Sequence, residues 1–161
     1  MSDSISGQLS PGEAEAPVVD LFAVLYSRTV ERMMEVYGDQ ALETARRSFL
    51  DAMIDGWIRE YRKLPDRSLA TYVNWLTSIV LRGTRYEIVQ QSDTSVHFRF
   101  TACPWATYFR KAGNPKIGAF FCEADRPMVE SFNPKLGFRI TKRLMDGDAY
   151  CDHHFFVKET D

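Results

Sequence analysis

Tyr86-Glu87-Ile88-Val89-Gln90-Gln91-Ser92-Asp93-Thr94-Ser95-Val96-His97-Phe98-Arg99-Phe100-Thr101-Ala102-Cys103 is the stretch whose pattern fixes the fold class. Two runs rich in β-branched and aromatic residues flank the turn-forming Ser92-Asp93-Thr94-Ser95. That arrangement predicts a β-hairpin of Tyr86 to Gln91 and Val96 to Cys103. In the second run Val96, Phe98 and Phe100 alternate with His97, Arg99, Thr101 and Cys103. A strand with this alternation turns an apolar face one way and a polar, reactive face the other. The pattern recurs near the end of the chain. Leu136 to Leu144 sets Phe138 and Ile140 against Arg139, Thr141 and Arg143, and Tyr150 to Lys158 forms a closing strand. Met145-Asp146-Gly147-Asp148 lies between them, and Asp-Gly favours a tight hairpin turn.

Around these strands the period changes to that of a helix. Pro17 opens a helix to about Tyr37, with Val18, Leu21, Phe22, Leu25, Val30, Met33 and Met34 near one stripe, and Gly38 ends it. Asp39 is a candidate cap for a second helix to about Lys63, where Ala41, Ala45, Phe49, Met53, Trp57 and Tyr61 recur every fourth residue. Leu64-Pro65 stops it. Ser68 opens a third helix through Val80, ended by Gly83. Between the hairpins, Pro104 to Lys111 and Lys116 to Phe132 read as helices, the latter with a break expected before Pro127. The order predicts an α+β fold: an antiparallel sheet of about four strands in two hairpins, covered by helices, with a helical N-terminal half. Residues 1–16 read as a disordered tail and 17–161 as a single domain.

Composition narrows the function. The 161 residues carry 20 basic and 22 acidic side chains, a net charge of −2, so no basic excess points to nucleic acid. No apolar run is long enough to span a membrane. The opening residues lack a signal-peptide pattern, and three cysteines make an odd, unpaired set. We therefore expect a reduced, cytoplasmic protein. No glycine-rich phosphate loop follows a strand. The aromatic content, 11 Phe, 7 Tyr and 3 Trp, makes a well-packed core or an aromatic-lined pocket for a small molecule available. The apolar first helices leave a homo-oligomer open.

The reactive residues fall in the second half. Cys103 sits at a strand end and a helix start, where the helix dipole favours a thiolate. Cys122 and Asp125 share a helix face. Cys151 and His153 point to one side of a strand, Asp152 and His154 to the other. Three readings stay open at this point: buried thiols as core filler, a His–Cys pair, and a zinc or other divalent metal site drawn from Cys103, Cys122, Cys151 and His154. Arg139, with its guanidinium fork, is a candidate carboxylate clamp.

Cys103-Pro104-Trp105, Phe121-Cys122-Glu123-Ala124-Asp125, Phe132-Asn133-Pro134-Lys135-Leu136-Gly137-Phe138-Arg139, Thr141-Lys142, and Gly147-Asp148 leading to Cys151-Asp152 follow one another in a fixed order. This string resembles the L-2-amino-thiazoline-4-carboxylic acid hydrolase family over about residues 85–157. It departs from the family at His153, where an aromatic residue usually follows Cys-Asp, and in its Arg139-Ile140-Thr141 spacing. The closing hairpin is also similar to vinyl-reductase-type small-molecule-binding domains, in which cysteines can hold zinc.

The resemblance implies a hydrolase that opens a small cyclic amidine. Water adds to the ring carbon between nitrogen and sulfur, and the ring opens. Such chemistry asks for a nucleophile, a proton donor and a group to stabilise the adduct. Cys103 is the first candidate nucleophile and Cys151 the second. Asp125 or Asp152 is the candidate acid, and His153 or His154 the candidate activator of thiol or water. Arg139, Asn133, Thr141 and Trp105 are candidates for holding the substrate. A small-molecule-binding module without catalysis, with or without zinc, is the alternative.

Overall fold

The computed structural model describes residues 11–81 and 83–159. Five α-helices and four strands follow in the order α1 Pro11–Tyr37, α2 Gln40–Tyr61, α3 Leu69–Trp75, β1 Arg85–Gln91, β2 Ser95–Ala102, α4 Pro104–Lys111, α5 Pro115–Phe132, β3 Leu136–Ile140 and β4 Cys151–Val157. The sheet order is β1-β2-β4-β3, antiparallel throughout. The fold is α+β, with the two hairpins joined edge to edge by β2 and β4, where Phe98 pairs with His153 and Phe100 with Cys151.

One face of this sheet carries the main core. Val96, Phe98 and Phe100 of β2, Leu136 and Phe138 of β3, and Cys151 and Phe155 of β4 are all buried. They pack with Tyr61, Tyr72, Trp75, Met128, Val129 and Phe132 from the helices. The aromatic rings meet at tilted or edge-on angles, Tyr61 to Trp75 at 5.0 Å and Tyr72 to Phe155 at 5.6 Å, the geometry their quadrupoles favour. A second cluster lies among the helices and includes Ala23, Val30, Ala45, Phe109, Ile117, Phe120 and Met145. Gly118 on α5 lets this cluster close: a Cβ there would stand 2.6 Å from the Phe109 Cβ and 2.7 Å from the Met145 sulfur.

Several boundaries differ from the sequence expectation. The first ten residues of the expected tail lie outside the described residues, and α1 begins at Pro11 with Pro17 inside it. Pro17 is the seventh residue of α1, past the first turn, so its missing N–H removes one i→i−4 bond, that to the Glu13 carbonyl. Asp39 takes helical φ and ψ and makes no side-chain cap, whereas the Ser68 hydroxyl accepts from Thr71 N–H at 3.1 Å as a cap should. The third helix turns from α to π at Leu76–Val80, where Leu81 N–H donates to the Leu76 carbonyl five residues back. Pro127 does not interrupt α5, which runs on to Phe132.

The largest shift is at β3, which stops at Ile140 rather than Leu144. The Asp152 carboxylate accepts the backbone N–H of Thr141 at 2.7 Å and of Lys142 at 2.6 Å, and Asp148 takes that of Arg143 at 2.8 Å. Side chains thus take the amides that a longer ladder would have used. Asp146-Gly147 closes no two-residue hairpin; Gly147, at φ +100°, ends a short 3₁₀ turn of Leu144–Asp146.

Candidate active site

The two clusters meet around a cavity of about 110 Å³. Four parts of the chain build it. Phe121, Cys122, Asp125 and Met128 come from successive turns of α5, and Cys103 and Trp105 from the junction of β2 and α4. Phe100, Cys151 and His153 come from the inner face of the sheet. Met53 of α2, with Leu81 and Thr84 beyond the π-turn, closes the remaining side. Helical spacing puts Cys122 and Asp125 on one side of α5, and the strand pleat puts Cys151 and His153 on one side of β4.

Asp125 is the one acid among the described lining residues. Among the described residues nothing hydrogen-bonds its carboxyl, and burial alone raises its pKa from 3.8 to about 7. Its side chain keeps 24% exposure, turned into the cavity. The His153 Nε2 stands 3.9 Å from the Asp125 Oδ2, longer than a hydrogen bond. Phe100 and Phe138 press against the imidazole at 4.6 and 5.2 Å. Burial lowers its pKa to about 4. At neutral pH the two groups thus face each other as a neutral imidazole and a half-protonated acid, not as an ion pair.

The thiols differ from the sequence expectation. Burial raises the pKa of Cys103; the amides of Ala106 and Trp105 pull it back, by less. The helix start does favour the thiolate there, but desolvation outweighs it. Cys122 is raised well above the ordinary thiol value by burial and then by Asp125. Cys151 is raised to about 11, again by burial first, although its sulfur accepts Leu144 N–H at 3.1 Å. All three are protonated at neutral pH.

The structure gathers Cys103, Cys122, Cys151, Asp125, His153 and Trp105 around the cavity and leaves the other candidates outside it. Asp152 points to the far side of β4 and holds the bend after β3; burial raises its pKa, but bonds from Thr141 and Lys142 outweigh that and leave it lowered. Thr141 is spent in the same contact, donating its hydroxyl to Asp152. His154 lies on the far face, its Nε2 2.7 Å from the Ser95 hydroxyl and its ring beside His97. Arg139 shares that face, over the Phe156 ring. Asn133 accepts Lys135 N–H and donates to the Arg67 carbonyl, fixing the turn after α5. The metal set that included His154 therefore cannot converge. Among the described residues, no group of three or more His, Cys, Asp or Glu is arranged to hold an ion.

Sequence reasoning missed the apolar lining, above all Phe100, Phe121 and Met128. A signal for the site was present: Asp125 stands alone on the face of α5 that buries Phe120, Ala124, Met128 and Val129. A lone acid among such neighbours is costly unless the site uses it.

The profile of the L-2-amino-thiazoline-4-carboxylic acid hydrolase family matches residues 19–155. The chain belongs to that family. No curated protein matches this member of the hydrolase family. Its fold is similar to that of trafficking protein particle complex subunit 3 from Naegleria fowleri covalently bound to palmitic acid. The TM-score is 0.56 at 13% identity, over 90% of this chain and 98% of that one. An Fe(II) unliganded H-NOX protein from K. algicida aligns with a TM-score of 0.40 and 10% identity, over 81% of this chain and 70% of that one. The first likeness is one of fold. Among the described residues of this hydrolase-family chain, no helix is long and apolar enough to cross a membrane.

Proposed function

We propose that the protein hydrolyses a small cyclic amidine or related ring, with Asp125 as the acid–base group and His153 as its partner. The observation that carries this reading is their position: the two face each other at 3.9 Å across one small cavity in a chain of a hydrolase family.

The reaction balances with these two groups. Protonated Asp125 gives its proton to the ring nitrogen, which makes the amidine carbon electrophilic. The Asp125 carboxylate then takes a proton from water as the water oxygen bonds to that carbon. His153 carries the proton of the new hydroxyl to the ring sulfur as the carbon–sulfur bond breaks. The products are a carbonyl, the former ring nitrogen with its added hydrogen, and a thiol. An acid that titrates near neutrality is suited to both giving and taking a proton. The thiols serve as lining and S–H donors; their raised pKa values argue against a nucleophile attacking first.

The test is ring opening of an aminothiazoline by purified protein, read as thiol release. Asp125→Asn is expected to lower kcat by about 10²–10⁴-fold. Full activity in that variant would end the proposal. Activity that survived Asp125→Asn but vanished in Cys103→Ser would instead support covalent catalysis.

A further inference from the structure

We propose that Arg110 receives the carboxylate of the ring acid for which the family is named, in a groove just outside the cavity, an inference that rests on the ring-opening reading above. Beside the cavity lies a second, more open space of about 270 Å³. Thr101 of β2, then Cys103, Thr107 and Arg110 along α4, and Leu144 line it. Cys103 belongs to both linings, so the groove and the cavity that holds Asp125 and His153 meet at its side chain.

Leu144 sets the distance. Its N–H donates to the Cys151 sulfur on the cavity wall at 3.1 Å, and its carbonyl accepts from Arg110 Nη1 at 2.9 Å. The nitrogen and oxygen of one residue lie no more than about 3.6 Å apart, so the guanidinium stands within about 10 Å of that sulfur. It is also held in place. Besides the bond to Leu144, it lies against Gly147, where a Cβ would stand 3.7 Å from Nη2. A group fixed before its ligand arrives loses less freedom on binding. Its described partner is a carbonyl, which leaves the positive charge in place and further N–H groups for the two oxygens of a carboxylate. Neighbouring cations are spent elsewhere, Arg143 on Asp146 at 2.7 Å and Lys111 on Asp20 at 3.0 Å. Arg139, the clamp expected from sequence, lies on the opposite face of the sheet. The Thr101 hydroxyl is a second donor on the groove lining.

The substrate divides in the same way. In the ring acid the carboxylate sits two bonds beyond the ring nitrogen. The flat amidine can share a proton with Asp125 inside the cavity. The carboxylate is ionised at neutral pH and strongly hydrated, and burying it next to another acid is costly. In the groove it keeps part of its water and meets a guanidinium. Arg110 is thereby a specificity residue: it turns the amidine side of the ring toward Asp125 and favours the ring acid over the same ring without a carboxylate. It holds a part of the substrate that does not react, so its effect falls on KM rather than kcat.

The experiment compares 2-amino-2-thiazoline-4-carboxylate with 2-amino-2-thiazoline on the full chain, reading thiol release and calorimetric binding for wild type and Arg110→Gln. The expected result is a KM for the carboxylate raised about 10–100-fold in the variant, with kcat nearly unchanged, and the same kcat/KM as wild type on the carboxylate-free ring. An equal loss on both compounds would overturn the inference and make Arg110 a support for the turn at Leu144. An unchanged KM for the carboxylate would overturn it too, and leave the hydrolase reading standing. If wild type opens neither compound, the hydrolase reading fails and calorimetry still decides the subsite: carboxylate binding weakened in Arg110→Gln supports it, and absent or undiminished binding overturns it. Arg110→Lys, which keeps the charge and loses the fork, is the second variant should Arg110→Gln not fold. Its expected effect is a smaller KM rise on the carboxylate alone, and an equal change on both compounds would again overturn the assignment.

Discussion

Replacing Asp125 with Asn should make the protein more stable, by an amount that grows with pH. In the folded chain burial raises the Asp125 pKa from 3.8 to about 7. The folded state therefore holds the proton over a range where the unfolded chain releases it, and stability is lost as pH rises from 3.8 through about 7. At 1.36 kcal/mol per pKa unit, the loss reaches about 2 kcal/mol at pH 5 and about 4 kcal/mol at pH 8. Asn has the same shape and no charge to bury, so the variant recovers that energy. For a slope near 2 kcal/mol per molar urea, the unfolding midpoint should rise by about 1 M at pH 5 and about 2 M at pH 8. His153 has the opposite slope. Its pKa falls from 6.5 to about 4, so stability is lost as pH drops through that window, by about 3 kcal/mol in all. In the wild type the two slopes offset and the profile from pH 4 to 7 is nearly flat; in Asp125→Asn only the histidine slope remains. Urea unfolding followed by tryptophan fluorescence at pH 5, 6, 7 and 8 measures this. Parallel profiles for wild type and variant would refute the reasoning, because they would mean that the cavity hydrates the carboxylate.

Three further expectations follow from particular contacts. Gly118→Ala should cost about 1–3 kcal/mol, because its Cβ would meet Phe109 and Met145; Gly56→Ala, whose Cβ meets only the Arg59 guanidinium at 4.0 Å, should gain a little, and a reversed order in urea midpoints would contradict the packing. The three cysteines should react slowly with a thiol reagent at pH 7 in the native state and at once in denaturant, and one fast native thiol would contradict the raised pKa values. Arg139→Ala should leave ring-opening kcat/KM unchanged, since its side chain lies over Phe156 and away from the cavity; a large loss would place substrate on the outer sheet face.

Most of the architecture was legible because it rests on local patterns. The alternation of Val96, Phe98 and Phe100 marks a buried strand face, and the fourfold spacing of Ala41 to Tyr61 marks a helix. The strand order β1-β2-β4-β3 was not legible, because nothing local records which hairpin edge meets which. The premature end of β3 escaped for a related reason. It depends on Asp152, distant in sequence, reaching back to Thr141 and Lys142. At the site, the pleat correctly split Cys151 and His153 from Asp152 and His154, but it could not say which side faced inward. The thiol pKa values were misjudged because sequence shows the helix start before Trp105 and not the burial that overrides it.

The π-turn at Leu76–Val80 bears on how this family could diversify. A π-turn holds one residue more than the α-helical turn it replaces. Loss of a single codon within 76–80 would leave an ordinary α-helical turn over the same arc, so the residues beyond it would keep their place. Leu81 and Thr84 would still close their side of the cavity. The π-turn is thus a point at which the chain can gain or lose one residue while the acid, the imidazole and the cavity wall stay where they are.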